Sequence, residues 1–162
     1  MRRVLTTMTA AAVLMLTTAG AAQAQVVTLT ANLSGANETP APGVLTGAFG
    51  TATVTWNQTT QTLTWIIDIW NMPSGTSNAH FHVGGPGVAG PTVVNIAFPA
   101  NISNDYRLTG SATSANLNVR AEQGIRSWDD FGQSLLGGQI YINIHSNNNP
   151  GGEVRGQVIR TP

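Results

Sequence analysis

Ile140-Tyr141-Ile142-Asn143-Ile144-His145 and, after a short loop, Glu153-Val154-Arg155-Gly156-Gln157-Val158 decide the fold. Isoleucine at every second position gives a strand with one apolar face, because successive side chains of an extended chain point to opposite sides. Ser146 to Gly152, rich in Asn and Gly, reads as the connection, so the two runs predict a β-hairpin. If His145 lies opposite Glu153, Asn143 faces Arg155 and Tyr141 faces Gln157. One face of this hairpin is then apolar and the other carries an ordered polar ladder.

The same period recurs upstream. Val27 to Leu33 alternates, and Gly47 to Trp56 turns Ala52, Val54 and Trp56 inward and Thr51, Thr53 and Thr55 outward. Asn57 to Gln61 is turn-like, and Thr62 to Asn71 resumes with Leu63, Trp65, Ile67 and Ile69 on one face, predicting a second hairpin that Pro73-Ser74-Gly75 stops. Asn78 to Val83, Val93 to Phe98 and Ala115 to Val119 are further predicted strands. Ser127 to Leu136 is the one predicted helix: Ser127 caps it, Asp130 completes a capping box, and Gly137 ends it. Its stripe of Trp128, Phe131 and Leu135 reads as a core contact. Seven or eight short antiparallel strands with one short helix before the last hairpin imply an all-β sandwich or barrel.

The N-terminus has the three parts of an export signal. Arg2 and Arg3 precede an uncharged stretch from Val4 to Ala22, and Ala22-Gln23-Ala24 is a small-x-small cleavage pattern. The reading is a signal peptide over residues 1–24 and one domain over 25–162, secreted or periplasmic, with no membrane span after cleavage. Residues 25–162 hold five arginines, no lysine and seven acids, a net charge of −2, which leaves nucleic acid no electrostatic footing. The chain has no cysteine, which excludes thiol catalysis, thiolate metal sites and disulfides.

His80, His82 and His145 are the only histidines. In a strand His80 and His82 share a face while Phe81 enters the core, and His145 lies on the polar face of the penultimate strand. If the polar faces coincide, three imidazoles and Glu153 converge. Imidazole is a common ligand for zinc and copper. The plainer reading is structural, with His145 hydrogen-bonded to Glu153 and Arg155 bridging Glu153 or Glu38. Ser34, Ser74 and Ser146 lack a nucleophile-elbow setting. The Gly84 to Gly90 segment lacks the lysine and helix of a phosphate cradle and reads as a turn.

Three separated motifs carry a resemblance. Leu33-Ser34-Gly35-Ala36-Asn37-Glu38-Thr39-Pro40 is similar to the opening signature of CHRD domains, the family named after chordin. Ala79-His80-Phe81-His82-Val83-Gly84 resembles their central segment. Tyr141 to His145 followed by Pro150 to Gln157 resembles their closing segment. The resemblance runs from Val27 to Ile159 and implies an extracellular or periplasmic domain with an immunoglobulin-like β-sandwich or barrel, distantly superoxide-dismutase-like. It implies no activity, and no catalytic residue is carried over. Dismutase copper sites use four histidines, and this chain has three. The expectation is therefore a non-enzymatic binding or structural module with an extracellular protein partner or a metal ion. The alternative is a copper or zinc protein built on His80, His82 and His145, with Glu38, Asn143, Glu153 and Arg155 as a surrounding polar cluster.

Overall fold

The computed structural model describes residues 25–160; the signal-peptide reading of residues 1–24 lies outside the described residues. Nine strands form one antiparallel sheet that curls into a nearly closed barrel. They are β1 (Val26–Ser34), β2 (Phe49–Asn57), β3 (Thr62–Met72), β4 (Thr76–Val83), β5 (Thr92–Asn95), β6 (Asn104–Ala112), β7 (Ile140–Ser146), β8 (Val154–Gln157) and β9 (Ile159–Arg160). The order across the sheet is β5-β4-β7-β8-β1-β2-β3-β6, with β9 also pairing β1.

The alternation in the sequence maps directly onto burial. In β2 Ala52, Val54 and Trp56 are buried and Thr51 and Thr53 are exposed; in β3 Leu63, Trp65, Ile67 and Ile69 are buried. The β2–β3 turn is set by Asn57, whose Oδ1 accepts from the Thr59 and Thr60 amides, both at 3.0 Å. Helix α1 (Trp128–Leu136) begins at the predicted cap. Ser127 Oγ accepts from the Asp130 amide, and the Asp130 carboxylate accepts from the Ser127 amide. The helix buries Trp128, Phe131 and Leu135 over the barrel, with the Trp128 and Phe131 rings against Trp56. Gly132 permits that approach, since a Cβ there would stand 2.7 Å from the Trp56 ring. Burying each such large side chain contributes about 1.5–3 kcal/mol.

One expectation fails and one strand goes unpredicted. Ala115 to Val119 is not a strand: Ser114–Asn116 is a 3-10 turn, and the chain beyond it touches the sheet through an Asn118 amide bond to the Val93 carbonyl. The strand on that side is β6, which the alternation does not reveal. It is an edge strand in which only Leu108 and Ala112 are buried, so its apolar period is too sparse to read. Its outward side carries Arg107, which pairs with Asp68 of β3 at 2.6 Å. An exposed pair of this kind is screened by solvent and contributes little to stability.

Candidate metal centre

The last hairpin has the register expected of it: Tyr141 opposes Gln157, and Asn143 opposes Arg155. Strand β4 lies on the other side of β7, with His80 opposite Asn143 and His82 opposite Tyr141. One face of β4-β7-β8 therefore collects His80, His82, Tyr141, Asn143, His145 and Arg155, while Phe81, Ile142 and Ile144 fill the barrel interior.

Most of this polar face is covered, with only His80 half-buried among the histidines. Every residue of β7 is buried, and Glu153 and Arg155 are 0 % and 2 % exposed. Loops supply the roof. The Gly84–Pro91 loop puts the Gly85 and Val88 carbonyls on Arg155 Nη2, both at 2.9 Å, and the Gly90 carbonyl on the His82 ring. The segment after β1 brings Thr39 to Arg155 Nη1 and Glu38 to Asn143. Gly152, at φ +140°, lets the last hairpin approach; a Cβ there would lie 2.6 Å from the Glu38 carboxylate and 2.8 Å from the Asn143 amide. Aromatic stacking ties the face together. His82 stacks on Tyr141 with ring centroids 4.9 Å apart, and the Arg155 guanidinium lies 3.5 Å from the Tyr141 centroid.

The three histidines converge. One ring nitrogen from each lies within 4.8 Å of the others, and His80 Nδ1 is 3.4 Å from His145 Nε2. Nitrogens sharing one zinc at about 2.0–2.1 Å sit roughly 3.3 Å apart, so that pair is already at ligand spacing. Loop carbonyls set two of the tautomers. His82 Nδ1 is 2.9 Å from the Gly90 carbonyl and His145 Nδ1 is 2.9 Å from the Pro150 carbonyl. A carbonyl only accepts, so both rings carry their proton on Nδ1 and keep a lone pair on Nε2. The Nε2 of His82 is buried and has no hydrogen-bond partner.

The cluster favours neutral imidazole. Burial first, then His82 and His145, lower His80 to about 4. Burial also brings His82 to about 4 against the Gly90 hydrogen bond, with His145, Arg155 and Arg120 adding to the lowering. Burial lowers His145 too, against the Pro150 bond. Neutral imidazole is the form that binds a metal.

The carboxylates lie elsewhere, against expectation. Glu153 does not pair with His145, although the hairpin register runs toward that pair beyond Ile144 and Val154; the His145 ring turns to the Pro150 carbonyl. Its carboxylate instead accepts from Ser146 Oγ and Asn149 Nδ2, both at 2.6 Å. Burial alone would raise it, but the hydrogen bonds from Ser146, Thr46 and Asn149 hold it below the usual carboxylate range. Arg155 bridges neither Glu153 nor Glu38; a guanidinium boxed in by Thr39 and two loop carbonyls is satisfied without an ion pair. Burial pushes Glu38 up to about 7, against the pull of Arg155 and the Asn143 hydrogen bond. The carbonyls of Gly90 and Pro150, which orient the His82 and His145 rings, leave no signal in sequence, because any residue type presents a carbonyl.

A family model for the CHRD domain matches residues 29–158. No curated protein and no solved structure matches the chain. Among the described residues no helix is long and apolar enough to cross a membrane.

Proposed function

Because the chain belongs to the CHRD domain family, we propose that it is a non-enzymatic domain, delivered to the periplasm or the medium, that binds copper or zinc through His80, His82 and His145. The observation that carries this reading is the Nε2 of His82: buried, unpartnered and stripped of its proton by the Gly90 bond at the opposite nitrogen. An unpaired buried acceptor costs about 1–3 kcal/mol, and a metal ion offsets that cost. The carbonyls of Gly90 and Pro150 behind two of the rings are the outer partners that ligating histidines ordinarily have. The cluster holds histidine alone, with no carboxylate, which suits copper or zinc over calcium or magnesium. Export is supported by the Arg2 to Ala24 signal pattern. Serine chemistry gains no support, since Ser146 Oγ donates to Glu153 and not to a histidine.

Calorimetric titration of metal-stripped protein with zinc and with copper tests the reading. One ion per chain should bind, and His82→Ala and His145→Ala should each abolish the heat. Absence of binding at micromolar protein, or binding undiminished in both variants, would overturn it.

A further inference from the structure

The two edges of the sheet end differently. At one edge β5 is four residues long and its backbone is capped: the Asn118 amide donates to the Val93 carbonyl, and Arg120 Nε donates to the Thr92 carbonyl. At the other edge β6 is nine residues long and pairs only with β3.

The ladder decides which backbone groups of β6 are open. In an antiparallel pair the amide and carbonyl of one residue point the same way, and the direction alternates along the strand. The Gln58 amide donates to the Gln25 carbonyl, toward β1, so Asn57 faces β3, where it opposes Thr62. Leu63, Trp65, Ile67 and Ile69 then turn toward β6 and meet Ala112, Gly110, Leu108 and Tyr106. The residues between, Arg107, Thr109 and Ser111, turn their amides and carbonyls away from the sheet. Among the described residues these six groups bond to no other backbone group. Buried orphans of this kind are costly, so the groups face water. The side chains of the same three residues are exposed.

An open edge is a template for another strand, and proteins ordinarily blunt it with a proline, a lysine, a bulge or a covering loop. The irregularity of this ladder lies at the Asn104 end of β6, between Ile69 and Met72 of β3. From Tyr106 to Ala112 the pairing is regular, with no proline and no lysine, and the one charge, Arg107, is held by Asp68. The strand is also its own complement, because its three open residues are centred on Thr109. A second copy laid antiparallel, with Thr109 on a two-fold axis, sets Thr109 against Thr109 and Arg107 against Ser111, and all six groups of each copy find partners. On the core side Leu108 meets Gly110 and Tyr106 meets Ala112, a large residue beside a small one each time, and no like charges stand opposite. An unrelated peptide could use the backbone groups but would lack this match.

We propose that the chain forms a two-fold dimer through β6, the edges of two copies pairing antiparallel about Thr109 and continuing the sheet from one copy into the other. Because β5 is capped, assembly stops at two. An edge pair buries little surface, so the dimer belongs to the weak, concentration-dependent class. The inference goes beyond the metal reading and does not rest on it, since none of these residues lies on the histidine face.

The test is sedimentation velocity of the metal-stripped protein from micromolar to near-millimolar concentration, with hydrogen exchange at both ends of that range read amide by amide. The mass should rise from one chain to two. The amides of Arg107, Thr109 and Ser111 should exchange at least tenfold more slowly in the dimer, while those of Leu108, Gly110 and Ala112, already bonded to β3, are protected throughout. Thr109→Pro removes an outward amide and leaves the β3 ladder alone. Thr109→Lys sets two ammonium groups opposite each other. Each should weaken the dimer at least tenfold and keep the circular dichroism of the folded chain. The chain has no cysteine, so Thr109→Cys carries a single thiol. With Cα atoms about 5.5 Å apart across the axis, it should oxidise to a cross-linked pair. A single chain at every concentration, larger assemblies, a dimer that both Thr109→Pro and Thr109→Lys leave intact, or a dimer whose Arg107, Thr109 and Ser111 amides still exchange freely would each overturn the proposal.

Discussion

Strands β2 and β7 share an alternating pattern and have opposite surroundings. The outward residues of β2 are Thr51 and Thr53, exposed to water, with Phe49 at the strand end stacked on Trp70. The outward residues of β7 are Tyr141, Asn143 and His145, all buried under loops. A period of two says only that the faces differ. It does not say whether water or protein covers the polar one. The difference matters for chemistry, because burial is what keeps the histidines neutral and isolates Glu38 and Arg155 in a weakly screening environment. The half of the sheet made by β1, β2, β3 and β6 supplies a solvated scaffold, and the half made by β4, β7 and β8 supplies a covered polar site.

The sharpest way to break this contrast is at Arg155. Arg155→Met should leave the Gly85 and Val88 carbonyls without their donor and destabilise the protein by about 3 kcal/mol. Denaturant unfolding reads the loss, and a change below about 0.5 kcal/mol would show that the roof contributes nothing. Metal comes next. If the histidine centre binds as proposed, zinc or copper at a hundredfold excess over Kd should stabilise the wild type by about 2.7 kcal/mol. The same ion should leave the melting temperature of His82→Ala unmoved, and an equal rise in both would place the metal elsewhere.

Acid titration of the metal-free protein separates the two ends of the covered face. His80 and His82 titrate near 4 when folded and near 6.5 when unfolded. Their contribution is complete above pH 6.5 and is lost as pH falls toward 4, because over that interval the unfolded chain binds protons that the folded one refuses. Glu38 has the opposite sign. Its folded carboxyl, near 7 against 4.5 unfolded, keeps a proton that the unfolded chain releases. That contribution is complete below pH 4.5 and is lost as pH rises through 7. Glu38→Gln removes the opposing slope, so its stability should fall more steeply on acidification than that of the wild type. Parallel curves would mean that Glu38 does not hold its proton. The smallest effect belongs to the solvated half: Thr53→Ala should change stability by no more than about 0.5 kcal/mol. A larger loss would mean that the threonine face is covered too.

The hairpin β7–β8 was legible because Ile140, Ile142 and Ile144 leave one register that buries them all, and that register brings Asn143 to Arg155. The helix was legible because Ser127 and Asp130 form a local device that needs no tertiary partner. Strand β6 was not, since an edge strand with two buried residues in nine has no clear period. Nor was the partner of Glu153: a hairpin register predicts the residue opposite, while the loop after β7 folds back to present Ser146 and Asn149.

By itself, then, the sequence of this CHRD domain determined the β class, the capped helix and the shared face of His80 and His82, because each depends on spacing within a few residues. Only the tertiary structure decided that His145 joins them, that loop carbonyls choose their tautomers, and that Glu38 and Arg155 line one cavity without pairing. Those features depend on which strands lie side by side and which loops fold over them, and no period in the chain encodes contacts between residues 38, 90, 150 and 155.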